Sequence, residues 1–168
     1  YNGDLRDLLF KKGKKGSKKE VIPPKIHIQE TPDDINLNGL SKKKVESISD
    51  ALSLYKKAIA RRAVAATQIN PESSRSHALF FVDIVQQDYE DPSTCLKSRI
   101  CVCDLGGSEK VKISKVTGQQ LEEAKFINSS LSALGTAVNQ MYLQNTHIPY
   151  RDSKLTHVLK SSFTGNGR

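Results

Sequence analysis

Asp104 stands next to last in an apolar run from Arg99 to Leu105, which is followed at once by Gly106, Gly107, Ser108 and Glu109. An aspartate at the carboxyl end of a strand can hold Mg²⁺ through water, and adjacent glycines let backbone N–H groups come close to a phosphate. The same residues also compose an ordinary turn after a strand. Ahead of a second long apolar run stands Asn70-Pro71-Glu72-Ser73-Ser74-Arg75-Ser76-His77, a hydroxyl-rich loop with one fixed cation. Serine hydroxyls can ligate Mg²⁺ or position a water, and Arg75 can pair bidentately with a carboxylate such as Glu109 if the two loops meet. Taken alone, such serines equally serve as caps and turn formers.

These loops need elements to position them. His77–Gln87 is apolar at both odd and even positions, as a central strand covered on both sides would be, and Arg99–Leu105 repeats that character, with the DYEDPS segment between them predicting a hairpin. Val21–Ile28 and Ile35–Leu40 read as short strands around the turn TPDDIN. Ser47 or Ser49 can cap a helix whose apolar face is Ile48, Leu52, Tyr55 and Ile59. Ile127, Leu131, Leu134, Val138 and Met141 fall on one later helical stripe, and Leu155, Val158 and Leu159 on another beyond Pro149. Residues 1–10 read as the end of a strand or a short amphipathic piece. Strands apolar on both faces, together with helices, predict an α/β layered architecture.

The 168 residues have the length of one domain, and 37% apolar content suffices for a core. No apolar run approaches the roughly 20 residues needed to cross a bilayer, and YNGDLRDLLF has no signal-peptide pattern, which predicts a cytoplasmic or nuclear protein without a membrane partner. Cys101 and Cys103 alternate within the apolar run and, with Cys95, form neither an even disulfide set nor a metal spacing, so they are expected as reduced cysteines in a core strand. A net charge of +8 favours an anionic partner, whether nucleic acid, an acidic membrane surface or an acidic protein polymer. Six lysines crowd residues 11–19, KKGKKGSKK, either as a solvated loop or as a polymer-binding or localisation segment. No aromatic-interleaved basic face or nucleic-acid motif is present, which sets nucleic acid aside.

Five segments, YNGDLRDLL, NPESSRSH, DLGGSE, INSSLSALG and HIPYRDSKLT, follow one another in the order and spacing of the kinesin motor domain, which the chain resembles from near its first residue to its last. The resemblance implies a partial three-layer P-loop NTPase-type fold, with a mixed central sheet flanked by helices, over residues 1–168. Residues 70–77 would be switch I: Asn70 borders the nucleotide, Ser74 completes the Mg²⁺ shell and Ser73 helps place the attacking water. Residues 104–109 would be switch II, where Asp104 holds Mg²⁺ through water and the Gly107 N–H senses the γ-phosphate. Arg75 and Glu109 would form the salt bridge that closes the switches. Residues 11–19 become a basic loop insert. Residues 110–125 become the loop after switch II, 126–144 the relay helix, and 126–162 as a whole the microtubule-facing region. Lys110, Lys112, Lys115, Tyr150, Arg151 and Lys154 are then the residues that face tubulin, while Ser129 and Leu131–Gly135 pack and cap the relay helix. The implied location is the cytoplasm, on the microtubule cytoskeleton.

No G-x-x-x-x-G-K-[ST] spacing occurs in the 168 residues, and Gly13-Lys14 and Gly16-Ser17-Lys18 do not supply one. Without that cradle the β- and γ-phosphates lack their backbone donors. The expectation is therefore part of an ATP-driven microtubule motor, with ATP and Mg²⁺ belonging to the complete motor and this stretch inactive alone. The alternative is a non-catalytic microtubule-binding module. Family members usually have Ala at the position of Gly106, a second basic residue at that of His157 and a glycine at that of Thr164. Many also offer basic residues where TPDDIN is acidic.

Overall fold

The computed structural model describes residues 4–10, 22–31, 34–67, 76–91, 93–106 and 119–164. The basic insert at 11–19 lies outside them. In chain order the elements are β1 (His27–Glu30), β2 (Ile35–Asn38), α1 (Ile48–Thr67), β3 (Ala78–Gln87), β4 (Cys95–Asp104), α2 (Gln119–Tyr142), a 3-10 turn (Tyr150–Asp152) and α3 (Lys154–Phe163). Strands and helices interleave as an α/β chain, and the described strands pair as two small antiparallel sheets, β1 with β2 and β3 with β4. No helix among the described residues is long and apolar enough to cross a membrane.

The first hairpin is shorter than the sequence predicts. Pro23 and Pro24 carry no N–H, so pairing begins only at His27, opposite Asn38. Asp7 ties the N-terminal segment to the end of this hairpin: one carboxylate oxygen accepts from Leu9 and Phe10 N–H, and the other from Ser41 N–H at 2.9 Å. That segment is thus a side-chain-stabilised turn, neither strand nor helix in its described part. Gly39, just past β2, has φ +90, and a Cβ there would stand 2.8 Å from the Lys25 carbonyl oxygen, so only glycine leaves the open end of the hairpin without strain.

Ser47 caps α1. Its hydroxyl accepts from the Asp50 N–H at 3.1 Å and donates to the Asp50 carboxylate at 2.8 Å. The buried face of α1 is displaced from the expected one: Ala58 and Arg62 are buried, whereas Ile48 and Leu52 are exposed. Tyr55 sits at the border and meets Phe80 of β3 edge to face, 5.6 Å between ring centres. A pattern that ranks positions by hydrophobicity misses Arg62, whose burial depends on hydrogen bonds.

In the β3–β4 hairpin, opposite residues share a face, so Phe80, Val102 and Asp104 lie on one side and Phe81, Cys101 and Arg99 on the other. Helix α1 approaches the first side through Tyr55 and Arg62. The first hairpin approaches the second side through Arg99, which pairs with Asp34 at 3.2 Å and Asp83 at 2.6 Å and lies over the Phe81 ring. The Arg99 guanidinium holds the Asp83 carboxyl below its ordinary range. Among the described residues the layers are incomplete. Ile100 is 52% exposed and Val102 54%, so β4 is not the doubly covered strand the sequence predicts. Cys95 and Cys103 are likewise exposed and Cys101 only half-buried, against the expectation of core cysteines. Burial first, and then the Cys103 sulfur 3.5 Å away, pushes the Cys101 thiol up to about 12.

The firmest packing joins α2, the 3-10 turn and α3. Ser153 caps α3 in a reciprocal box with Thr156, whose hydroxyl also donates to the Tyr150 carbonyl at 2.7 Å. Leu155, Val158 and Leu159 are buried as their spacing predicts, each contributing roughly 1.5–3 kcal/mol. On α2, Ile127 and Ala137 are buried while Val138 is exposed, a rotation of the expected stripe toward its small residue.

Candidate functional site

The register that sets Ala78 opposite Asp104 places the start of β3 beside the end of β4. Ser76 and His77, which lead into β3, therefore adjoin Asp104, Leu105 and Gly106. Two side chains fasten this junction. Arg62 of α1, 9% exposed, donates through Nε to the Ser76 hydroxyl at 3.2 Å and through Nη2 to the Ser76 carbonyl at 2.8 Å, while Nη1 pairs with the Asp104 carboxylate. A planar guanidinium is suited to hold three acceptors at once. Because the Asp104 side chain is 61% exposed, the pair is weaker than a fully buried one.

His77 is the second fastener. Its Nδ1 accepts from the Gly106 N–H at 3.0 Å, its Nε2 meets the Ser130 hydroxyl at 2.7 Å, and that hydroxyl donates to the Ile127 carbonyl at 2.8 Å. A backbone donor at Nδ1 requires that nitrogen to be unprotonated, so the ring is the neutral Nε2–H tautomer and donates to Ser130. Burial, with a smaller contribution from the Arg62 cation, pushes the His77 pKa below its ordinary value, consistent with that tautomer. One imidazole thus links the entry of β3, the exit of β4 and helix α2.

A second cluster lies on α3 and the first hairpin. Glu30 accepts from Arg151 at 2.8 Å and from Lys160, and His157 Nε2 stands 3.4 Å away. Hydrogen bonds from Lys160 and then Arg151 hold the Glu30 carboxyl down at about 2. The Lys160 ammonium also lies 5.7 Å from the centre of the Tyr150 ring. Lys154 pairs with Asp4 at 3.5 Å.

Of the residues singled out by sequence, Asp104 sits at the junction, and Arg151 and Lys154 are exposed on the α3 side. Tyr150 differs from expectation. It is buried, with its hydroxyl donating to the Met141 sulfur at 3.4 Å, so it packs the turn against α2 and offers no open face to a partner. Ser130, and not its neighbour Ser129, makes the contact that secures α2. Asn70, Ser73, Ser74, Arg75, Gly107, Glu109, Lys110, Lys112 and Lys115 lie outside the described residues. Sequence reasoning missed Arg62 and Glu30, and placed His77 at the end of the 70–77 loop without a role of its own. The basic pair Arg61-Arg62 in a helix otherwise rich in alanine was the one available signal, since a cation there needs a partner elsewhere in the fold.

The kinesin motor domain family model matches residues 1–168. Among curated relatives, kinesin-like protein KIN-14T of Arabidopsis thaliana is 41% identical over 163 residues, covering 96% of this chain and 19% of the relative. Kinesin-like protein 3 of Schizosaccharomyces pombe is 41% identical over 169 residues, 100% of this chain and 29% of the relative. Of solved structures, a fast kinesin superposes with a TM-score of 0.79 at 38% identity, over 100% of this chain and 45% of that one. A KIF14 dimer with AMP-PNP, in complex with a microtubule, gives 0.82 at 36% identity, over 100% and 48%. The chain belongs to the kinesin motor domain family. It spans less than a third of the length of these curated relatives and about half of the solved chains.

Complete motors of this family use a nucleotide and Mg²⁺, and the junction is compatible with them. Asp104 offers one carboxylate, largely exposed despite its Arg62 contact, and Mg²⁺ retains several waters and takes few protein ligands directly. No cluster of three or more His, Cys, Asp or Glu side chains among the described residues forms an all-protein metal cage.

Proposed function

We propose that these residues form the switch and track-binding part of an ATP-driven microtubule motor, in which hydrolysis is coupled to microtubule binding and movement. The observation that carries this reading is the adjacency of Ser76–His77 to Asp104–Gly106, which brings together the two segments that a nucleotide must sense in common. In that reading Ser74 holds Mg²⁺ directly and Asp104 holds it through water, Asn70 and Gly107 border the nucleotide, and Ser73 places the attacking water. Mg²⁺ supplies charge neutralisation at the phosphates, and the chain's residues position and close, because phosphoryl transfer depends on alignment and charge stabilisation. Arg75 and Glu109 pair across the switches, and loss of one phosphate releases their loop. The acidic faces of tubulin are met by Arg151 and Lys154 together with Lys110, Lys112 and Lys115, and the location is the microtubule cytoskeleton.

Because the 168 residues contain no G-x-x-x-x-G-K-[ST] cradle, this stretch by itself does not turn over ATP. The test uses a motor that carries these residues together with a phosphate-binding loop. Arg75→Ala and Glu109→Ala each abolish microtubule-stimulated hydrolysis and leave co-sedimentation with microtubules near the unmodified level. Undiminished turnover in both variants would overturn the switch assignment, and microtubule-stimulated turnover by residues 1–168 alone would overturn the claim of inactivity.

A further inference from the structure

Arg151 belongs to the face assigned to the microtubule, yet its guanidinium is engaged within the chain. Glu30, at the end of β1, takes Arg151 through one carboxylate oxygen and Lys160 through the other, with the His157 ring nitrogen beside it. Arg151 itself is 77% exposed, whereas Glu30 is 24% exposed, so the anion sits under the rim of a surface whose outermost charge is a cation. An acidic partner approaching Arg151 must share it with, or take it from, a carboxylate already in contact.

We infer that Glu30 is an intramolecular competitor for the cations of the track-binding face, lowering the affinity of Arg151 and Lys160 for an acidic polymer surface. The inference rests on the microtubule partner proposed above. Glu30 does not relinquish this role in the neutral range, because its two cationic neighbours keep it ionised down to about 2. The competition is a fixed attenuation and not a pH switch. Its physical basis is ordinary: an exposed cation paired with an internal carboxylate presents a weaker field outward, and charge changes at the rim of an interface alter association and its salt dependence. In the acidic turn beyond Glu30, Asp34 is already engaged by Arg99 of β4.

The test is co-sedimentation with microtubules across a salt series, run beside retention on immobilised poly-glutamate. Glu30→Gln binds both more tightly, with a Kd lowered by about threefold or more at low salt. Glu90→Gln, in the exposed β3–β4 loop, removes the same charge and shows clearly less gain. Introducing Glu30→Gln into an Arg151→Ala, Lys160→Gln background yields no gain. Should the glutamine variant lose its circular dichroism signal, Glu30→Asp serves instead, keeping the charge while drawing the carboxylate back by one methylene, with tightening again expected. Binding unchanged or weakened by these Glu30 changes, a gain matched by Glu90→Gln, or a gain that survives without Arg151 and Lys160 each overturns the inference. If the unmodified protein ignores microtubules but the Glu30 effect is present on poly-glutamate, the microtubule assignment falls and the competition stands.

Discussion

Arg62 and His77 decide whether the junction between β3 and β4 holds its shape. Arg62→Ala strands the Ser76 carbonyl and leaves Asp104 without its cation. The expected loss is about 1–3 kcal/mol, kept below the cost of a fully buried pair because Asp104 is largely solvated. Urea unfolding measures it, and Arg62→Lys recovers only part, since an ammonium cannot span both Ser76 acceptors and Asp104. His77 contributes in a pH-dependent way. Its folded pKa lies below its ordinary 6.5, so in the window beneath that value the unfolded chain binds a proton that the native ring refuses. Stability therefore rises with pH through the window and is flat above it. Urea midpoints should fall as pH drops from 6.5 toward about 5, and His77→Gln should remove much of that slope. An unchanged slope in His77→Gln would show that the ring carries no linkage. Arg62 and His77 were hard to read from sequence for one reason: each is defined by a partner far along the chain, Asp104 in one case and Gly106 and Ser130 in the other. Asp104, by contrast, announces itself through the glycines that follow it.

The elements were legible wherever one local signal dominated. The apolar spacing of Leu155, Val158 and Leu159 and the break at Pro149 specify α3, and the structure adds the Ser153 cap with its reciprocal Thr156 bond. Ser153→Ala should cost about 1 kcal/mol and raise amide exchange in the first turn of α3 more than in α2. Equal exchange in both helices would argue that the cap is redundant with Leu155 and Val158 packing. Helix α1 was legible in its start but not in its full length to Thr67 or its orientation, because its buried face mixes Ala58 with a hydrogen-bonded arginine and leaves Ile48 and Leu52 outside. The β3–β4 hairpin was found by its two apolar runs, and its ten-residue pairing extends the second run back to Cys95, where polar residues gave no alternation to follow. In the first hairpin, Pro23 and Pro24 shortened a strand that β-propensity alone would have prolonged.

At the scale of the whole molecule the sequence described a sheet covered on both faces, and the described residues cover it only in part. Helix α1 meets one side of β3–β4 near Phe80, and the first hairpin meets the other near Phe81, while Leu96, Ile100 and Val102 remain more than half exposed along one face of β4. The apolar character of those positions is real; the composition predicted the need for a cover, and composition cannot say which residues provide it. An apolar stripe of this kind on an outer strand, with its hydrogen-bonding edge, favours pairing between copies. Residues 1–168 prepared alone should therefore sediment with an average mass that increases with protein concentration and should bind a hydrophobic dye. Ile100 and Val102 share the exposed face, since Val82 and Phe80 are their respective partners across the hairpin. Replacing both with lysine should return the chain to a monomer and reduce dye binding while preserving the circular dichroism spectrum, because neither side chain is buried enough to carry the fold. Association that persists in the double variant would place the contact elsewhere, and loss of secondary structure would mean that this face is held by residues of the chain itself.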